Sequence, residues 1–166
     1  MLSHHSGSDA QWFSHFVGSR ICEYLDASCG IVESIRLAVD DSRGFIGEHC
    51  VTDNEELLPS STLVVVSVTG DLLNIVSLGD SPVFNGLTGG SRGTMSDARI
   101  GELDKGAVDT IVERSRGRVM TGEQKRAAVN DVLLSNRQLK NKPDGYWILD
   151  PSGGRLGTPQ RDAAPC

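Results

Sequence analysis

Between Ser61 and Phe84 the chain reads STLVVVSVTGDLLNIVSLGDSPVF, and few local structures accommodate that string. Ser61 to Thr69 is rich in β-branched residues, Gly70-Asp71 supplies turn residues, and Leu72 to Leu78 is a second apolar run of strand length. The pattern predicts a β-hairpin. Leu63 to Val68 and Leu72 to Leu78 are nearly all apolar, which is the signature of strands covered on both faces. A third short run, Val83-Phe84, follows a Gly79-Asp80-Ser81 turn. An acidic residue between Gly and Ser at the end of a buried strand sets a carboxylate on a sheet rim. There the backbone is free to approach a ligand.

Helices flank the hairpin. Residues 9 to 26 carry Trp12, Phe13, Phe16, Val17, Ile21 and Leu25 at helical period, and Ser8 and Gln11 have the spacing of a capping box. A second helix, from about Ile31 to Ile46, sets Ile31, Ile35, Ala38, Val39 and Ile46 on one face. Two such stripes are buried if both helices cover one face of the sheet. Pro59 and the acidic residues before it make Thr52 to Ser60 a loop, and Gly86 to Gly93 reads as a turn or flexible loop. Ala98 to Leu103 is ambiguous. From Asp104 the chain is helical again, with Ala107, Val108, Ile111 and Val112 as a stripe. Thr121 and Gln124 open a further helix that carries Ala128, Val132 and Leu139. Tyr146 to Leu149 reads as a strand, and the polar residues after Gly153 read as a disordered tail.

The Gly79-Asp80-Ser81 turn, placed after this hairpin, resembles the Gly-Asp-Ser motif of the metal-dependent protein phosphatases, the type-2C or PPM family. The helix opened by Ser8-Asp9-Ala10-Gln11-Trp12-Phe13 is similar to the first helix of bacterial members. The second helix, the strand pair, a helical insertion and Gly145-Tyr146-Trp147-Ile148-Leu149 follow in the order those members show. The resemblance spans roughly residues 8 to 150, and only the Gly-Asp-Ser turn within it is a chemical motif. It implies an α+β fold, an antiparallel β-sandwich with flanking helices in α-β-β-α layers. The expected organisation is a flexible N-terminus over 1–8, a phosphatase-like core over 9–150 and a disordered tail over 151–166.

The implied activity is hydrolysis of phosphoserine or phosphothreonine with Mn²⁺ or Mg²⁺. Two divalent ions lower the pKa of a bound water, and such hard ions are held by clustered Asp oxygens. The resemblance makes Asp80 a metal ligand, with Pro82 standing where the family usually has Arg after the Ser. The family's two Asp-Gly motifs and its Asp-Asn motif have no counterparts here, and Asp144-Gly145 precedes the Tyr-Trp segment, where the family places no ligand. The expectation is therefore a domain cut at both ends and inactive by itself, with no metal pair held by one carboxylate. The alternative is a non-catalytic module of the same fold that binds a phosphoprotein or a regulator.

Composition narrows the partners. A formal net charge of -6 offers no basic face to neutralise phosphates, so no nucleic-acid partner is expected. No run approaches the roughly 20 apolar residues of a membrane-spanning helix, and Met1-Leu2-Ser3-His4-His5 lacks the apolar core of a signal peptide. Cys22, Cys29, Cys50 and Cys166 show no CxxC spacing, which fits reduced thiols and a cytoplasmic location. His4-His5 at the terminus, and His15 and His49 on helices, lack partner ligands at metal-binding spacing. Gly89-Gly90-Ser91-Arg92-Gly93 lacks the Lys-Ser/Thr ending of a phosphate loop. No nucleophile elbow or Cys-His pairing appears.

Overall fold

The computed structural model describes residues 9–49, 58–86, 92–152 and 164–165. Among them, four helices and two small antiparallel sheets make an α+β architecture. In chain order these are α1 (Asp9–Asp26), α2 (Ile31–His49), β1 (Leu63–Thr69), β2 (Leu72–Leu78), β3 (Val83–Gly86), β4 (Arg92–Met95), α3 (Ala98–Ser115), α4 (Gly122–Arg137) and β5 (Ala164–Pro165). One sheet has the order β1-β2-β5, and the other is the β3-β4 pair.

The hairpin forms as the sequence dictates. Gly70 takes φ +60 at the first turn position, the conformation a II′ hairpin turn asks of a glycine. From there β1 and β2 pair without interruption, Thr69 opposite Leu72 through to Leu63 opposite Leu78. Side chains alternate across a strand. Val65 and its partner Val76 therefore share one face with Leu63 and Leu78. Against that face lie Phe13, Val17 and Ile21 of α1 and Ile35, Ala38 and Val39 of α2, forming one core with Leu149. The two helices are joined by a tight turn in which Ser28 is left-handed (φ 66) and the Cys29 N–H donates to the Tyr24 carbonyl at 3.0 Å. Across the helix pair, the Asp41 carboxylate accepts from Arg20 Nε at 2.6 Å and from the Tyr24 hydroxyl at 2.7 Å.

The second face of the hairpin departs from expectation. Full coverage of both strands is not found, because Val64, Val66 and Val68 of β1 are exposed while Ile75 of β2 is buried. An unbroken β-branched run is the same string whether one face or two is covered, so sequence alone does not separate the cases.

The rest is more thinly built. α3 begins at Ala98, which resolves the ambiguous stretch as helix, and α4 carries the expected Thr121/Gln124 capping box. Of these two helices only Ala107 and Val129 are buried. Arg114 binds Asp131 at 2.9 Å, and Asn136 Nδ2 donates to the Leu103 carbonyl at 3.3 Å. Tyr146 to Leu149 is not a regular strand. It makes two isolated bridges, Ser61 to Leu149 and Lys140 to Tyr146, because the chain folds back around left-handed Asn141 (φ 55). The Asn141 side chain accepts from the Ile148 N–H at 2.9 Å. The same segment is fastened by an ion pair between Lys140 and the buried Asp150 at 2.9 Å and by Arg43 Nε donating to the Pro151 carbonyl at 3.0 Å. β4 covers the last residues of the stretch read as loop. The expected N-terminal segment 1–8 and most of the loop from Thr52 to Ser60 lie outside the described residues. Most of the tail does too, apart from residues 151–152 and Ala164–Pro165, the latter beside Leu72–Leu73.

Phe13 is fully buried at the centre of the helix–sheet core. Phe13→Ala is expected to cost about 3–5 kcal/mol by urea unfolding, and Val112→Ala on the exposed face of α3 less than about 0.5 kcal/mol.

Candidate functional site

The rim begins where the core ends. Leu78 is buried, and the next residue turns the chain out of the sheet: Gly79 adopts φ +85. A β-carbon there would lie 2.7 Å from Thr62 Cγ2, so both conformation and space require glycine. The turn is held from two sides. On the β1 side, the Ser81 hydroxyl donates to Thr62 Oγ1 at 2.8 Å. On the β4 side, the Asp97 N–H donates to the Gly79 carbonyl at 3.2 Å and the Ser96 hydroxyl to the Asp80 carbonyl at 3.3 Å. Asp80 is thus fixed through its backbone while its side chain is exposed, at the end of β2 where the sequence places it. Among the described residues its carboxylate has no hydrogen bond or ion pair.

A second carboxylate stands on the same rim with a different task. Asp97 caps α3, accepting from the Arg99 N–H at 3.1 Å, and its two oxygens take Arg99 Nε at 2.8 Å and an Arg99 Nη at 2.5 Å. The Arg99 guanidinium, then the backbone N–H groups of Arg99 and Trp147, hold its carboxyl below the ordinary carboxylate range, against the opposing effect of burial. Its lone pairs are committed to the helix start. Sequence reasoning missed Asp97; the signal available was an Asp in cap position ahead of a stretch that could be helix.

Among the described residues no group of three or more His, Cys, Asp or Glu side chains converges as a metal site. Asp80 alone is one hard oxygen donor, too few for a pair of divalent ions, so the described donor set does not fit a two-metal centre. The other candidates do not join it. His15 is exposed on α1, and His49 stacks on Phe45 with ring centroids 4.1 Å apart. His4, His5 and residues 89–91 lie outside the described residues.

One further feature escaped the sequence reading. A cavity of about 620 Å³ lies between the α1–α2 turn and the tip half of the hairpin, lined by Leu25, Cys29, Ile31 and Val32 above and by Ser67, Thr69 and Asn74 below. On the helix-facing side of the sheet, side chains change from Leu63 and Val65 to Ser67 and Thr69, so the helices pack only on the apolar half. That change from apolar to polar is visible in the sequence once the facing side is known.

No protein-family model matches the chain, and no match is found among curated proteins or solved structures.

Gly79→Ala is expected to destabilise by about 1–3 kcal/mol through strain at positive φ and the Thr62 contact. Asp80→Asn should stay within about 0.5 kcal/mol of wild type, since no native contact is lost. The Asp97 carboxyl has a folded-state pKa below its unfolded value of about 3.9, so its contribution is present above that value and is lost as pH falls through the folded pKa. Asp97→Ala should therefore cost about 1–2 kcal/mol at pH 7, a gap that narrows in unfolding curves below about pH 4.

Proposed function

We propose that this chain has the architecture of the central part of a metal-dependent serine/threonine phosphatase domain. In that reading the two sheets belong to an α-β-β-α sandwich, and Asp80 is a ligand for Mn²⁺ or Mg²⁺. The observation that supports the reading best is the Gly79-Asp80-Ser81 turn itself: its backbone is clamped by Thr62, Ser96 and Asp97, and it presents a carboxylate with no partner among the described residues. A carboxylate on a clamped backbone, with no partner among the described residues, suits cation capture better than turn stabilisation, because a turn-stabilising Asp is consumed by its own backbone.

The same arithmetic limits the chemistry. Direct attack of metal-activated water on phosphorus needs two ions held together, and one free carboxylate does not assemble them. The chain alone is therefore expected to show no turnover. Recognition of a phosphoprotein or of a regulator in the cytoplasm is the second reading. It rests on a rim where, among the described residues, no cluster of side chains able to hold two ions is found. Nucleic acid finds no support in a chain of net charge -6. No helix among the described residues is long and apolar enough to cross a membrane.

Two measurements separate these elements. Calorimetric titration with MnCl₂ should give weak binding, with a dissociation constant on the order of millimolar, that is lost in Asp80→Asn. Identical titrations for both proteins would remove Asp80 as a ligand. With a phosphothreonine peptide and excess Mn²⁺, no turnover is expected; a chelator-sensitive rate of roughly 1 s⁻¹ or more would overturn the assignment of inactivity.

A further inference from the structure

Among the described residues β1 is an edge strand that carries no charge, Pro or bulge. It ends the order β1-β2-β5, and among the described residues no strand runs along its outer side; the chain meets Leu149 only at Ser61, ahead of the strand. Soluble proteins guard such edges with charges, Pro, bulges or very short strands. β1 spans seven residues, LVVVSVT, with no charge and no Pro, and it keeps one-to-one register with β2 throughout.

The location of the exposed apolar surface is informative. Val64, Val66 and Val68 are 38%, 52% and 66% exposed, whereas Ile75, opposite Val66 on the same face, is 6% exposed. On the face that carries Val66 the bare apolar surface therefore lies on the edge strand, next to a covered Ile75 on β2. A neighbour lying beside β1 meets that need; a layer stacked over the sheet would find the β2 side already covered.

We infer that this neighbour is β1 of a second copy, paired antiparallel about a two-fold axis through Val66. The exposed face of the strand is symmetric about its centre, Val64, Val66 and Val68, and the two-fold places Val66 against the partner's Val66 and Val64 against the partner's Val68. Valine pairs of this kind stabilise neighbouring antiparallel strands. Charge points to the same occupant. The chain has a net charge of -6, yet Ser61 to Gly70 contains no ionised residue, so two copies meet there without repulsion and a basic partner gains nothing. The pairing is isologous and closes at two. It joins two hairpins into one sheet with both helix pairs on the same face, opposite the valines. A single strand pair falls below the roughly 1,200 Å² of a stable interface, so the dimer is weak, with a dissociation constant on the order of 10–100 µM.

Sedimentation equilibrium on the full chain from about 5 to 500 µM reads this directly. The expected result is a monomer–dimer equilibrium weakened at least about tenfold by Val66→Lys and by Val68→Lys, and unchanged by Val112→Lys on α3. Both β1 side chains are solvent-facing in the monomer, and far-UV circular dichroism checks that the variants fold; if Val66→Lys does not, Val68→Lys decides. A wild-type chain monomeric throughout overturns the inference, as does a dimer indifferent to the folded lysine variant, or growth beyond two copies.

Discussion

Burial of Phe13, Val17 and Ile35 against Val65 and Val76 is the interaction on which the other elements depend. All five are buried, the first three almost completely. A side chain of this kind contributes roughly 1.5–3 kcal/mol when removed from water. Neither partner in this packing is stable alone, since a two-stranded hairpin is marginal in water and helices of this length gain most of their stability from tertiary contacts. The helix pair and the hairpin therefore order each other. Arg20, Tyr24 and Asp41 tie α1 to α2 on their outer side, but a partly exposed pair of this type adds only a small increment.

From that core the rim follows. Leu78 belongs to the buried core, and the strand stops after it because Gly79, packed against Thr62, turns at positive φ. The left-handed Gly79 then aims the next residue outward, and Thr62, Ser96 and Asp97 hold its backbone in place. Asp80 can be displayed without cost to the fold because every bond that positions it is made by main chain or neighbours. α3 and α4 stand in contrast. Their starts are well capped by Asp97 and by the Thr121/Gln124 box, yet few of their side chains are buried. They hold their shape through local bonds more than through a core.

Much of this was legible in the residues. Helix α1 and strand β2 were readable to their ends, because an uninterrupted 3.6-residue stripe and a turn dipeptide each admit one reading. Asp80 was placed at a strand end for the same reason: Leu72 to Leu78 has no room for a charge. What escaped depended on long-range contacts. Whether Val64, Val66 and Val68 are covered is decided by what lies next to β1, and the sequence of β1 is silent about that. Tyr146 to Leu149 has strand composition, but Asn141 turns left-handed and captures the Ile148 N–H, so the segment closes as a loop. The role of Asp97 emerged only once Ala98 was seen to begin a helix.

Native-state hydrogen exchange tests the central claim, that one helix–hairpin core organises the molecule, most directly. Hydrogen-bonded amides within α1, α2 and β2, and those of β1 that donate to β2, should exchange only through global unfolding, with a common free energy equal to that from urea denaturation. Amides of α3 and α4 should exchange through a smaller, local opening that leaves the core protected. Equal protection across all four helices, or greater protection in α3 and α4 than in α1 and the hairpin, would contradict the account.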